Sequence, residues 1–107
     1  MREVIGLTLR TFQPADGKGP VVILLGELAE YLGIPPIGPG TIRRLPKRLR
    51  QAVTRGPGAS GPAVPVRWVA DLAGYDLAEI PFALQPVWRA ARDYRQPVAA
   101  VAPSTDP

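Results

Sequence analysis

The chain has 107 residues, 46% hydrophobic and 21% charged, a balance that suits one small folded domain and excludes wholesale disorder. It contains no cysteine and no histidine, which rules out disulfides and thiolate metal sites and removes the commonest general base and metal ligand. Net charge is +4, but residues 31–70 contain no Asp or Glu and carry seven cations, so the remainder sums to −3.

Fourteen prolines should chop the chain into short elements. The first, "EVIGLTLRTF" (residues 3–12), alternates. Ile5, Leu7 and Leu9 share one face, and Thr8 and Arg10 the other, which predicts a half-buried strand. Asp16-Gly17 signals a turn, and "PVVILL" (residues 20–25) reads as a buried strand. Together they predict an N-terminal β-hairpin that must pack on helices to be stable.

"GELAEYLGI" predicts a helix of about two turns. Leu25, Leu28, Ala29, Tyr31 and Leu32 fall at helical spacing, and Glu27 sits in the first turn, where the helix dipole favours it. Gly33 is placed as a left-handed stop, with Ile34 as its hydrophobic contact and Pro35-Pro36 forbidding continuation. The elbow "IPPIGPG" is stiff. Thr41 is then the expected N-cap of a short turn over residues 41–45. Pro46 opens a basic helix, "PKRLRQAVT", with Leu49, Ala52 and Val53 inward and Lys47, Arg48, Arg50 and Arg55 outward.

"GPGASGPAVPV" reads as a loop or wing whose tail pairs as an edge strand, where proline is tolerated. "RWVADLAG" predicts a helix with Trp68, Val69 and Leu72 inward and Gly74 as its stop. Asp76 and Glu79 have capping-box spacing. A last helix, "PVWRAARDYR", starts near Gln85-Pro86 with Val87, Trp88, Ala91 and Tyr94 as its apolar stripe. Residues 1–96 form one domain in this reading, residues 97–107 form a flexible tail, and the sequence has no internal repeat. No signal-peptide pattern or apolar run of about 20 residues is present, so a cytoplasmic protein without a membrane partner is expected.

Catalysis has little to build on. Ser60 and Ser104 are the only serines, and no histidine exists to activate either. Glu27 and Glu30, and Asp71, Asp76 and Glu79, read as helix-start and surface charges. "GPGASG" lacks the Gly-Lys-Ser/Thr ending of a phosphate loop. The expectation is a non-enzyme without cofactor or metal.

The order strand, turn, strand, "VVILLGELAEYLGI", proline elbow, "TIRRLP" resembles the N-terminal domain of BRO-type phage antirepressors over residues 4–55. "LGELAEYLGIPPIGPGTIRRL" and "AGYDLAEI" are similar to MerR-type and excisionase winged helices, with a hairpin added in front and a longer turn. Both resemblances imply DNA binding by a winged-helix-like domain.

The fold expected is therefore α+β, an N-terminal β-hairpin packed on several short helices, winged-helix-like. The function expected is a small phage-like transcriptional regulator docking on duplex DNA. Its candidate nucleic-acid-binding residues are Thr41, Arg43, Arg44, Lys47, Arg48, Arg50, Arg55 and Arg67. Trp68 and Trp88 are core residues first and candidate anchors of an interface second. The alternative is a protein–protein module that grips a larger machine, or self-associates, through the basic stripe and a Trp-anchored helix. RNA is the third candidate partner.

Overall fold

The computed structural model describes residues 1–14 and 17–104, with side chains through Tyr94. It is an α+β arrangement of two small antiparallel sheets and five helices among the described residues.

The first departure from the sequence reading is at the N-terminus. Residues 3–12 do not form one strand. Strands β1 (Arg2–Val4) and β2 (Leu7–Leu9) make a tight hairpin, with Val4 opposite Leu7. Ile5 and Gly6 at the turn both take positive φ, 47° and 83°, as a type I′ turn requires. A β-branched residue in that position hid the turn. Val4 and Leu9 are buried, whereas Ile5 and Leu7 pack at the core's margin. The Tyr94 hydroxyl donates to Glu3 Oε2 at 3.0 Å and ties the hairpin to the last helix. That hydrogen bond, reinforced by the Glu3 charge, holds the Tyr94 phenol above its ordinary pKa.

Strand β3 (Val22–Leu24) is fully buried, as its apolar run predicts. The expected pairing with the first strand shrinks to one bridge, Phe12 with Val22, made by reciprocal backbone hydrogen bonds of 2.9 and 2.8 Å. Asp16 of the expected turn lies outside the described residues; Gly17 N–H donates to the Pro14 carbonyl at 2.8 Å. The main partner of β3 is β5 (Pro62–Pro65), and β5 also pairs with β4 (Thr54–Arg55), giving the order β3-β5-β4. So "AVPV" belongs to a central strand, not an edge. Its prolines are tolerated because each has one neighbour only: Pro65 faces Val22 beyond the end of β4, and Pro62 faces Arg55 beyond the end of β3.

Helix α1 (Leu25–Leu32) follows β3 without a loop. Its end is the predicted one. Gly33 is left-handed at φ 69°, and its N–H reaches Glu30 O (3.1 Å), while Ile34 N–H reaches Ala29 O (3.0 Å). This double closure is a Schellman motif. Two five-residue helices follow, α2 (Pro39–Arg43) and α3 (Lys47–Gln51). Thr41 is not the N-cap. Gly38 occupies that place, because Pro39 fits the first helical position and moves the start three residues upstream. Pro46 caps α3, close to its expected position.

Helix α4 (Trp68–Ala73) stops at Gly74 as predicted. A 3₁₀ turn, Leu77–Glu79, starts at Asp76, but no side-chain cap forms there; Glu79 N–H bonds the Asp76 carbonyl instead. A second 3₁₀ turn, Phe82–Leu84, leads into α5 (Gln85–Ser104). The backbone of α5 stays helical past Pro97, where the sequence reading begins a flexible tail; residues 105–107 lie outside the described part.

Leu9, Ile23, Leu25, Leu28, Val64, Trp68, Leu72, Leu84 and Val87 are essentially solvent-free and join the sheets, α1, α4 and α5 into one core. Each buried side chain of this size contributes about 1.5–3 kcal/mol. Burial of this kind, not helix propensity, sustains helices of five and six residues, which would be unstable alone.

Candidate nucleic-acid interface

The corner made by α2 and α3 is positioned by four apolar anchors. Ile37 in the elbow, Leu45 between the helices and Leu49 in α3 are all buried, and Ile42 packs at the margin of the same core. With these side chains turned inward, the intervening residues must face water. Arg43, Arg44, Lys47 and Arg48 are all exposed. Trp68 pins α3 from below: its indole N–H donates to the Leu49 carbonyl at 3.0 Å.

Arg55 comes from β4, across a groove from α2. The groove has a volume of about 620 Å³, and its walls are Ile37, Pro39 and Ile42 on one side and Thr54, Arg55 and the loop at Gly58–Pro62 on the other. That loop is the tip of the β4–β5 hairpin. Gly56 N–H bonds Gly61 O at 2.8 Å, and the Ser60 hydroxyl donates to the Pro57 carbonyl, so the tip is closed on itself. A second groove, about 970 Å³, lies between α3 and α4 and includes Arg48, Arg67 and Asp71.

The electrostatics sort the expected cations into three groups. Arg43, Arg44, Lys47, Arg48 and Arg55 have no carboxylate within 4.0 Å among the described residues. Arg67 is paired with Asp71 at 3.8 Å, one helical turn away, and both side chains are mostly exposed. Such a pair is worth little to stability, yet it places a negative charge beside Arg67. Arg50 turns back: its Nη1 donates to the carbonyls of Arg43 (3.4 Å) and Leu45 (3.5 Å). Thr41 is half-buried inside α2, not at its tip.

Both tryptophans are tied internally through their indole N–H groups. Trp68 is 1% exposed. Trp88 is half-buried, its indole N–H donates to the Tyr75 carbonyl at 2.8 Å, and the Arg92 guanidinium lies 4.9 Å from its ring centre. For Trp68 the expected role of interface anchor is corrected to that of an internal tie, because its ring is buried; Trp88 is tied through its indole N–H and keeps part of its ring at the surface. Among the described residues the most exposed of the large hydrophobic side chains is Phe82, 86% exposed, which the sequence pattern did not single out.

Carboxylates gather elsewhere. Glu27 and Glu30 line a shallow notch beside Arg10, Tyr31 and Ser60. Glu27 Oε2 accepts from Arg10 Nε at 3.4 Å, and Oε1 is buried without a hydrogen-bond partner. Among the described residues no three His, Cys, Asp or Glu side chains group to hold a metal ion, and no helix is long and apolar enough to cross a membrane.

No protein-family model matches the chain, and no curated protein or solved structure matches it either. The arrangement of charge on this corner must therefore carry the functional reading.

Proposed function

We propose that the protein is a small DNA-binding regulator that docks in winged-helix fashion, with the α2–α3 corner and the β4–β5 hairpin on duplex DNA. The observation that carries this reading is the set of five exposed cations without carboxylate partners, four on the α2–α3 corner and Arg55 on β4, across a groove from α2. Charge of one sign with no internal neutralisation suits a polyanion. Arg43 and Arg44 sit at the end of α2, where their guanidinium groups approach base edges; arginine can bind guanine with two parallel hydrogen bonds. Lys47, Arg48 and Arg55 neutralise phosphates and fix the register. The closed hairpin tip lies along the backbone as a wing. A phage-type role in transcription belongs to the same proposal and rests on the resemblance of residues 4–55 to BRO-type antirepressors; a cytoplasmic location is part of that role.

The test is a salt titration of binding to a random-sequence duplex. The three phosphate contacts, Lys47, Arg48 and Arg55, predict that log K falls with log salt at a slope of about −3. The double variant Lys47→Ala, Arg48→Ala should weaken binding to every duplex and lessen the slope by about 2. No affinity at low salt, or affinity indifferent to salt, would sink the proposal. In that event the exposed Phe82 favours the second reading, a protein–protein module. A protein partner retained after nuclease treatment and lost with Phe82→Ala would support it.

A further inference from the structure

Pro46 breaks the chain between α2 and α3, and it has no N–H with which to bond back to Ile42. The Ile42 carbonyl is taken instead by Leu45 N–H at 3.1 Å. The last carbonyls of any helix lack intrahelical partners, and α2 has only five residues, so its end is poorly held by its own backbone. Arg50 supplies the missing donor. Its Nη1 lies between the Arg43 and Leu45 carbonyls, one on each side of Arg44. Arg50 belongs to α3, and α3 is held through the buried Leu49 and the Trp68 indole.

We infer that Arg50 is a positioning residue, not a phosphate contact: it clamps the end of α2 to α3 and thereby aims the Arg43 and Arg44 side chains. The inference rests on the DNA-binding reading and refines it, since it removes one cation from the phosphate set and gives it to the base-reading pair. The chemistry asks for arginine. Both carbonyls are met by one nitrogen, Nη1, whose two N–H groups are held at a fixed angle in the guanidinium plane. A lysine ammonium carries the same charge on a freely rotating group without that plane. A phosphate contact would accept lysine with small loss; a two-carbonyl clamp would not.

The experiment compares the parent, Arg50→Lys, Arg50→Ala and Arg48→Ala in the full chain. Two probes are used, a random-sequence duplex and the duplex recovered by selection from a randomised library with the parent. Circular dichroism establishes that each variant is folded at the assay temperature. The expected result is that Arg50→Lys and Arg50→Ala both lose about tenfold in discrimination between the two duplexes, the scale of one misaligned bidentate contact. Their salt slopes on random duplex stay at the parent value, whereas Arg48→Ala loses about 0.9. If Arg50→Ala fails to fold, Arg50→Lys alone decides. The inference is overturned if Arg50→Lys discriminates like the parent, if Arg50→Ala loses slope as Arg48→Ala does, or if the parent recovers no preferred duplex. A parent that binds no duplex at low salt overturns the DNA reading and this refinement with it; a parent with the steep slope and a tolerant Arg50 overturns the refinement alone.

Discussion

Trp68 and Trp88 each donate an indole N–H to a backbone carbonyl, and their different burial separates what each bond is worth. Trp68 is 1% exposed and Leu49 3%, so the carbonyl that the indole serves sits in buried surroundings. Trp88 is half-buried, and water can replace its bond to Tyr75. An unsatisfied buried acceptor costs about 1–3 kcal/mol, and the smaller phenyl ring leaves an added void. Trp68→Phe is therefore expected to lower unfolding free energy by about 2–4 kcal/mol, and Trp88→Phe by about 1 kcal/mol. Urea denaturation followed by far-ultraviolet circular dichroism measures both. Equal losses would mean that Trp68 does not hold α3 as its geometry implies. The same residues show the limit of a pattern: helical spacing placed both indoles inward, but nothing in their spacing reveals which carbonyl each would meet.

At the scale of elements, the β4–β5 hairpin depends on a close approach at Gly56. A Cβ there would sit 2.7 Å from Leu24 Cδ2 and 3.2 Å from the Gly61 carbonyl oxygen. Leu24 is a buried residue of β3, and the Gly61 carbonyl closes the loop, so neither side yields freely. Gly56→Ala should cost about 1–3 kcal/mol of stability and push the hairpin away from Leu24 of β3. Hydrogen exchange of the Gly56 amide, protected by its bond to Gly61 in the parent, should speed up markedly; unchanged protection would refute the packing argument. Elements like this one separate what was legible from what was not. Gly33 and Pro35-Pro36 announce the end of α1 because the stop is local chemistry. Gly74 and Gln85-Pro86 mark the limits of their helices for the same reason. The N-terminal hairpin was unreadable because Ile5 occupies a turn position that favours Asn or Gly. The pairing of β3 with β5 joins residues about forty apart, and apolar alternation contains no information on partners. The basic residues of the candidate interface were legible as a run of unopposed charge. The return of Arg50 to the α2 carbonyls was not, because it depends on how Pro46 folds the corner.

On the scale of the whole molecule, the proposal depends on where charge sits and not on how much there is. Net charge is +4, and charge alone would attract any polyanion from a distance. Arg44 and Arg48 lie on the α2–α3 corner, while Arg2 and Arg89 are exposed on β1 and α5, outside the stripe. Reversing either pair to glutamate takes the net charge from +4 to zero. If the long-range field governed binding, the two double variants would bind duplex DNA alike. If contact at the corner governs it, they must differ, because exposed charges separated by more than about 8 Å are largely screened at physiological salt. Arg44→Glu with Arg48→Glu is expected to abolish measurable binding to random duplex at that salt. Arg2→Glu with Arg89→Glu is expected to retain affinity within about threefold and to keep the parent's salt slope, since the number of phosphates neutralised is unchanged. Fluorescence anisotropy at matched ionic strength distinguishes the outcomes. Equal loss in both variants would reduce the interface to a general electrostatic attraction, and equal retention would remove the α2–α3 corner from the binding surface altogether.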